Sequence, residues 1–157
     1  MTDRVADIVT GLVREYIDKG CVDSAYEINC GWCSDFADDL IGRAAQLQPV
    51  PSAQEVWVDD LLMDLGGDGI EVRFDLERIS ERYPEIALPA GISWADMDVI
   101  ARDYGFAGGS HVWSVIDGRH YDAETPNGVV NPFDLPYFVR VMEHYQTTKN
   151  AAVPLKR

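Results

Sequence analysis

Cys33 lies in Gly31-Trp32-Cys33-Ser34-Asp35-Phe36-Ala37, and far downstream come His111-Val112-Trp113 and Tyr121-Asp122. Cysteine, histidine and aspartate in that order are the minimum equipment for a thiolate nucleophile. A thiol attacks a carbonyl only once deprotonated, and a free cysteine is mostly protonated at neutral pH. A histidine can take that proton, and a carboxylate on its other ring nitrogen orients it. Cys33 as nucleophile, His111 as base and then acid, and Asp122 as orienter must therefore be brought together.

The elements that must do so follow from hydrophobic periodicity. Residues Asp3 to Asp18 carry Val5, Ile8, Val9, Leu12, Val13, Tyr16 and Ile17 at helical spacing, with Thr2 available as N-cap and Gly20 as the stop. Cys21 to Trp32 reads as a connector. From Cys33 to Leu47 the positions Phe36, Ala37, Leu40, Ile41, Ala44 and Leu47 follow the same period, so Cys33 sits at the start of a helix. Unpaired N–H groups and the helix dipole favour a thiolate there, and the same N–H groups can bind an oxyanion.

Pro49-Val50-Pro51-Ser52 breaks the chain. Glu55 to Met63 reads as a strand with Val56 and Val58 on one face, Gly66-Gly67-Asp68-Gly69 as a turn, and Ile70 to Phe74 as a second strand. Leu76 to Tyr83 suggests a short helix ended by Pro84. Ser93 caps a helix over Trp94 to Tyr104, stopped by Gly105. After Gly108-Gly109, His111 to Ile116 and Arg119 to Ala123 flank Asp117-Gly118, a strong hairpin signal. A two-residue turn pairs Ile116 with Arg119, Val115 with His120 and Ser114 with Tyr121. Trp113 then opposes Asp122, which leaves Asp122 diagonal to His111 and across the pleat; a longer loop or a bulge would put both on one face. Leu135 to Tyr145 reads as the last helix, closing a single domain over 1–146 before a flexible tail at 147–157. The expected class is α+β, with the cysteine helix packed on a small antiparallel sheet.

Bulk properties narrow the partners. The chain has 157 residues, enough for one self-sufficient core, and 13 basic against 27 acidic side chains leave a net charge of −14. Such a charge disfavours nucleic acid and anionic membranes, and no apolar run approaches the roughly 18–20 residues of a membrane span. The N-terminus lacks the pattern of a secretory signal, so a cytoplasmic setting is expected. Cys21, Cys30 and Cys33, an odd and clustered set, argue against a disulfide framework.

Gly31-Trp32-Cys33-Ser34-Asp35-Phe36-Ala37 resembles the nucleophile motif of transglutaminase-like, papain-fold proteins, in which G-x-C-x-D-F-A opens the central helix. His111-Val112-Trp113 and the later Tyr121-Asp122 are similar to that family's H-x-W strand and its aromatic-D strand. The likeness covers Asn29 to Leu40 and His111 to Asp122. A segment such as Gly128-Val129-Val130-Asn131-Pro132-Phe133-Asp134-Leu135-Pro136 also resembles phage or prophage proteins. The family resemblance implies thiol chemistry on an amide-type bond without a cofactor: peptidase, amidase, deamidase or acyl transferase. The substrate would be a peptide, a protein or a small amide. Papain-like enzymes place a glutamine shortly before the cysteine; here the stretch is Tyr26-Glu27-Ile28-Asn29. Glu27 cannot donate when ionised, whereas Asn29 or Tyr26 could serve beside the Cys33 N–H. Trp32 is expected on the cleft wall, and Trp113 in the core, pointing away from His111.

Two other readings stand beside this one. Cys30-Gly31-Trp32-Cys33 is also a C-x-x-C motif, suited to dithiol redox chemistry, or to zinc if Cys21 and His111, His120 or His144 joined it. A non-catalytic acidic binding protein could instead offer Asp38-Asp39, Asp59-Asp60 and Asp96-Asp98 to a basic partner, although a solvated helix or strand face explains each of these runs more simply.

Overall fold

Asp3 starts the first helix. Its carboxylate accepts the N–H groups of Val5 and Ala6 (3.1 and 3.2 Å), so the cap falls one residue after Thr2. The computed structural model describes residues 3–63, 72–104 and 111–152. Helix α1 (Arg4–Asp18) buries Val9, Leu12 and Tyr16. It ends where Gly20 adopts φ +76° and the Cys21 N–H bonds back to Tyr16 O, a glycine-dependent stop.

The stretch expected as a connector is largely helical. Ser24 caps a single turn, α2 (Ala25–Glu27), and a π turn over Ile28–Trp32 feeds directly into α3 (Cys33–Ala44). Phe36, Ala37, Leu40 and Ala44 form the buried stripe of α3. A fully buried Phe or Leu contributes about 1.5–3 kcal/mol of transfer free energy, so this stripe holds the cysteine helix in place.

The sheet is antiparallel with order β1-β2-β3: β1 (Ala53–Trp57), β2 (Val112–Ile116) and β3 (Arg119–Tyr121). Asp117 (φ 47°) and Gly118 (φ 78°) both take positive φ, the two-residue turn that Asp-Gly favours, and the ladder pairs Ser114 with Tyr121, Val115 with His120 and Ile116 with Arg119. The expected register holds. Strand β1 is shorter and earlier than the Glu55 to Met63 expectation. Asp60 accepts the Trp57 N–H at 2.9 Å, and that cap turns Val58–Leu61 into a 3₁₀ helix. Of the expected Ile70 to Phe74 strand, the described part contributes an isolated bridge between Phe74 and Leu62. The Gly66–Gly69 turn, Gly105 and Gly108-Gly109 fall outside the described residues.

Helices α4 (Leu76–Arg82) and α5 (Trp94–Asp103) lie close to their expected positions, α5 with Ser93 and Asp96 capping each other. Helix α6 (Pro136–Ala152) runs past its expected end at Tyr145, with Tyr145 Oη and Lys149 Nζ both donating to Asp96 Oδ1 (2.6 and 3.2 Å); of the expected tail at 147–157, residues 153–157 lie outside the described residues. Several acidic pairs likewise have work inside the fold. Asp39 accepts the Tyr16 hydroxyl at 2.6 Å and Asp98 accepts the Phe74 N–H at 2.9 Å.

The sheet divides two apolar clusters. Ile116, Tyr121 and Ala123 pack with α1 and α3, whereas Val56, Trp113, Phe133 and Phe138 belong to the larger cluster with α4, α5 and α6. The fold is α+β, with the cysteine helix lying on a small antiparallel sheet. Among the described residues no helix is long and apolar enough to cross a membrane.

Candidate active site

Cys33 follows the π turn, a wide helical turn often found at functional positions. Because helix precedes it, Cys33 does not occupy a free helix N-terminus. Its sulfur faces the His111 imidazole and the backbone N–H groups of Val112, at the start of β2, and of Ser34, all of which favour the thiolate. Partial burial pushes the thiol pKa up, but His111 and these two N–H groups outweigh it and hold the thiol below its ordinary value.

His111 is fully buried, one residue before β2. Its Nε2 lies 3.1 Å from Asp122 Oδ2. Tyr137 of α6 stacks on the imidazole at 4.6 Å between centroids, and Phe138 meets it edge-on at 6.4 Å. Burial pushes the His111 pKa down, but the Asp122 hydrogen bond and the Cys33 sulfur together raise it. With Asp122 accepting from Nε2–H, the lone pair sits on Nδ1. Nδ1 is buried with no aligned hydrogen-bond partner, while Cys33 and His111 perturb each other directly. The thiol and imidazole are thus close without being locked together, an arrangement common in resting thiol sites.

The hairpin register should have left Asp122 across the pleat from His111. It does not, because the ladder ends first. Asp122 lies just beyond the end of β3, so strand alternation does not fix which way its side chain points. Asp122 instead opens a turn in which its Oδ1 accepts the Glu124 N–H (3.0 Å) and the Thr125 hydroxyl (2.7 Å). That turn aims Oδ2 at the imidazole with no bulge required. Asp122-x-Glu124-Thr125 is a pattern from which such a turn can be read.

The other expected site residues fall around this trio. Asn29 is buried one helical turn before Cys33, and its Nδ2 donates to Glu124 Oε1 at 2.8 Å, which ties this amide to the Asp122 loop. Glu124 is also gripped by Arg140 of α6, Nη1 to Oε2 and Nη2 to Oε1 at 2.8 Å each. Tyr26 is exposed, its ring beneath the Arg140 guanidinium at 4.7 Å. Trp32 is 41 % exposed and meets Tyr16 edge-on, on the rim of an acidic groove with Asp35, Asp38 and Asp39. Trp113 is buried as expected, yet it does not point away from His111: the two rings stack at 5.9 Å. Residues two apart on an extended chain share a face, which is the physical reason for this correction.

Sequence reasoning passed over the Val112 N–H, Tyr137, Thr125 and Arg140. Only Thr125 carries a local signal; the rest are brought in by tertiary packing. Cys21, Cys30 and Cys33 are all free thiols. Among the described residues no three Cys, His, Asp or Glu side chains are grouped to hold a metal ion. His120 and His144, considered as partners for a zinc site, pack instead against Trp113 and Tyr104. The chain matches no family model, no curated protein and no solved structure.

Proposed function

We propose that the chain is a thiol-dependent acyl enzyme of transglutaminase-like, papain-like architecture. Cys33, His111 and Asp122 would act on an amide-type bond of a peptide, a protein or a small amide. The observation that carries this reading is the buried imidazole: Nε2 held by Asp122, Nδ1 left open, and a thiol of lowered pKa beside it.

In this reading His111 Nδ1 takes the Cys33 proton and the sulfur attacks the acyl carbon. The imidazolium so formed is stabilised by Asp122. The tetrahedral adduct collapses to a thioester, and the departing amine leaves with the proton from Nδ1. Water, or another nucleophile in a transfer reaction, then attacks the thioester while His111 removes its proton, and the free thiol is regenerated. Apolar walls from Tyr137 and Phe138 keep water from the imidazole.

The test is a trapped acyl-enzyme. Exposure to p-nitrophenyl acetate should release p-nitrophenol in a burst and add one acetyl group to the peptide bearing Cys33, read by mass spectrometry. The burst should vanish in Cys33→Ala. Acetylation spread equally over Cys21, Cys30 and Cys33 would refute the reading.

A further inference from the structure

The proposed acyl chemistry uses one of two thiols that share a helical turn. Cys30 and Cys33 stand three residues apart, across the junction between the π turn and α3, and both are free. Cys30 is exposed and Cys33 is partly buried. Tyr137 borders both thiols: its ring stacks on His111, which faces Cys33, and it lines a cavity whose wall includes Cys30. Cys21, the third thiol, lines the acidic groove with Trp32 and Asp35.

Helix radius and rise place Cα atoms three residues apart at about 5 Å, inside the roughly 4.4–6.8 Å span of disulfides. Their Cβ atoms lie about 5–6 Å apart in a regular helix, against the roughly 3.5–4.5 Å of a disulfide, so the turn must close by about 1 Å. The two intervening residues allow this. Trp32 already departs from helical backbone, at φ −119° and ψ 13°. Gly31 is exposed and has open space, nothing within 4 Å, where a Cβ would stand. Neither residue belongs to an apolar cluster, so closing the turn leaves the core in place. The chemistry is asymmetric, because peroxides oxidise thiolates and His111 with the Val112 and Ser34 N–H groups favours the thiolate at Cys33. A reactive thiolate with a second thiol within reach is the arrangement of cysteines that sense oxidants.

We propose that Cys30 and Cys33 form a reversible redox switch on the thiol site, in which a hydroperoxide oxidises Cys33 and Cys30 resolves it as a disulfide. The inference rests on Cys33 being the reactive thiol of the proposed function, and not on which acyl substrate it takes. With hydrogen peroxide, the Cys33 sulfur attacks one oxygen and the O–O bond breaks. The products are a sulfenic acid and hydroxide, which takes a proton to become water. Cys30 then gives up its proton and attacks the Cys33 sulfur. An S–S bond forms, the S–O bond breaks and a second water leaves. The two cysteines together lose two electrons, which the peroxide gains. Exchange with an external dithiol restores both thiols and leaves that dithiol oxidised. While the disulfide stands, Cys33 cannot attack a carbonyl, and it is shielded from irreversible oxidation to sulfinic acid.

The experiment treats the full-length protein with excess hydrogen peroxide and digests it with chymotrypsin without reduction. Cleavage after Tyr26, Trp32 and Phe36 puts Cys21, Cys30 and Cys33 on separate peptides for mass spectrometry. The expected product is a linked Cys30–Cys33 pair, lighter by two hydrogen atoms than the sum of its peptides. Iodoacetamide labelling of Cys33 should be lost with it and restored by dithiothreitol. In Cys30→Ser the pair should vanish and Cys33 should gain two or three oxygen atoms that dithiothreitol does not remove. Cys21→Ser should behave as the parent does. Absence of the linked pair, linkage of Cys33 to Cys21 instead, or over-oxidation of Cys33 as fast in the parent as in Cys30→Ser overturns the proposal. The p-nitrophenyl acetate burst, measured on reduced protein, keeps the two readings apart. A linked pair without a burst would sink the acyl-enzyme reading and leave the switch standing; a burst without a linked pair would do the reverse.

Discussion

His111 and His120 stand on opposite arms of one hairpin and both are fully buried, yet the fold treats them differently. His120 has both ring nitrogens occupied: Nδ1 accepts the Trp113 indole N–H at 2.9 Å, and Nε2 faces Glu85 at 3.4 Å. Burial lowers its pKa, with Glu85 only partly opposing. His111 has one nitrogen held and one open, and its pKa is raised. Burial is common to the two and does not separate them. The open nitrogen of His111 and the thiol beside it do. His120 knits the larger apolar cluster; His111 is available to a proton.

Substitutions can break this contrast, and the largest effect on chemistry is expected from Asp122→Asn. An asparagine amide placed at Nε2 would push the imidazole proton to Nδ1 and remove the lone pair that takes the thiol proton. Acylation of Cys33 should fall about 10²–10⁴-fold while the melting curve moves little. A variant acylated at the parental rate would mean that Asp122 does not orient His111. His120→Ala should do the opposite. It strands the buried Trp113 N–H, costing about 1–3 kcal/mol in urea unfolding, with a cavity cost on top. Acylation per folded molecule should be unchanged; a loss as large as that of Asp122→Asn would erase the distinction between the histidines. The smallest effect sharpens it. Thr125→Val removes one of two donors that hold Asp122 Oδ1, and should lower acylation only severalfold, with about 0.5–1.5 kcal/mol of lost stability. An effect on stability alone would show that Thr125 supports the loop without aiming the carboxylate.

What could be read from the sequence follows the range of the forces involved. Helices α1, α3 and α5, the Ser93 cap and the Asp117-Gly118 turn rest on local periodicity and local hydrogen bonds, and they lie where those signals place them. The three residues of the trio were legible by type and order. How Asp122 reaches His111 was not, because extending strand alternation to residues outside the ladder gives the wrong face. The π turn before Cys33 carries no pattern that separates it from a connector. Strand β1 was misplaced because Asp60 caps a 3₁₀ turn within an apolar run that otherwise reads as extended. Tyr137, Val112 and Arg140 meet the site only through packing of α6 and β2, at separations no local signal spans. The Asp39 and Asp96 carboxylates, which read as solvated acidic faces, are internal acceptors for Tyr16 and Tyr145 for the same reason.

In the proposed reaction Cys33 passes its proton to His111 Nδ1, so that a thiolate–imidazolium pair forms. The lowered thiol pKa means that thiolate persists below the ordinary thiol range and is lost only as pH falls through that lowered value. The raised imidazole pKa means that His111 keeps its proton until pH rises through its own raised value. The direct test is the rate of Cys33 alkylation by iodoacetamide against pH in a Cys21→Ser, Cys30→Ser background, with and without His111→Ala. Rapid labelling is expected to continue below about pH 7 and, in His111→Ala, to move to the ordinary thiol range near about 8.5. One shared profile with its midpoint in that ordinary range, in both proteins, would contradict it.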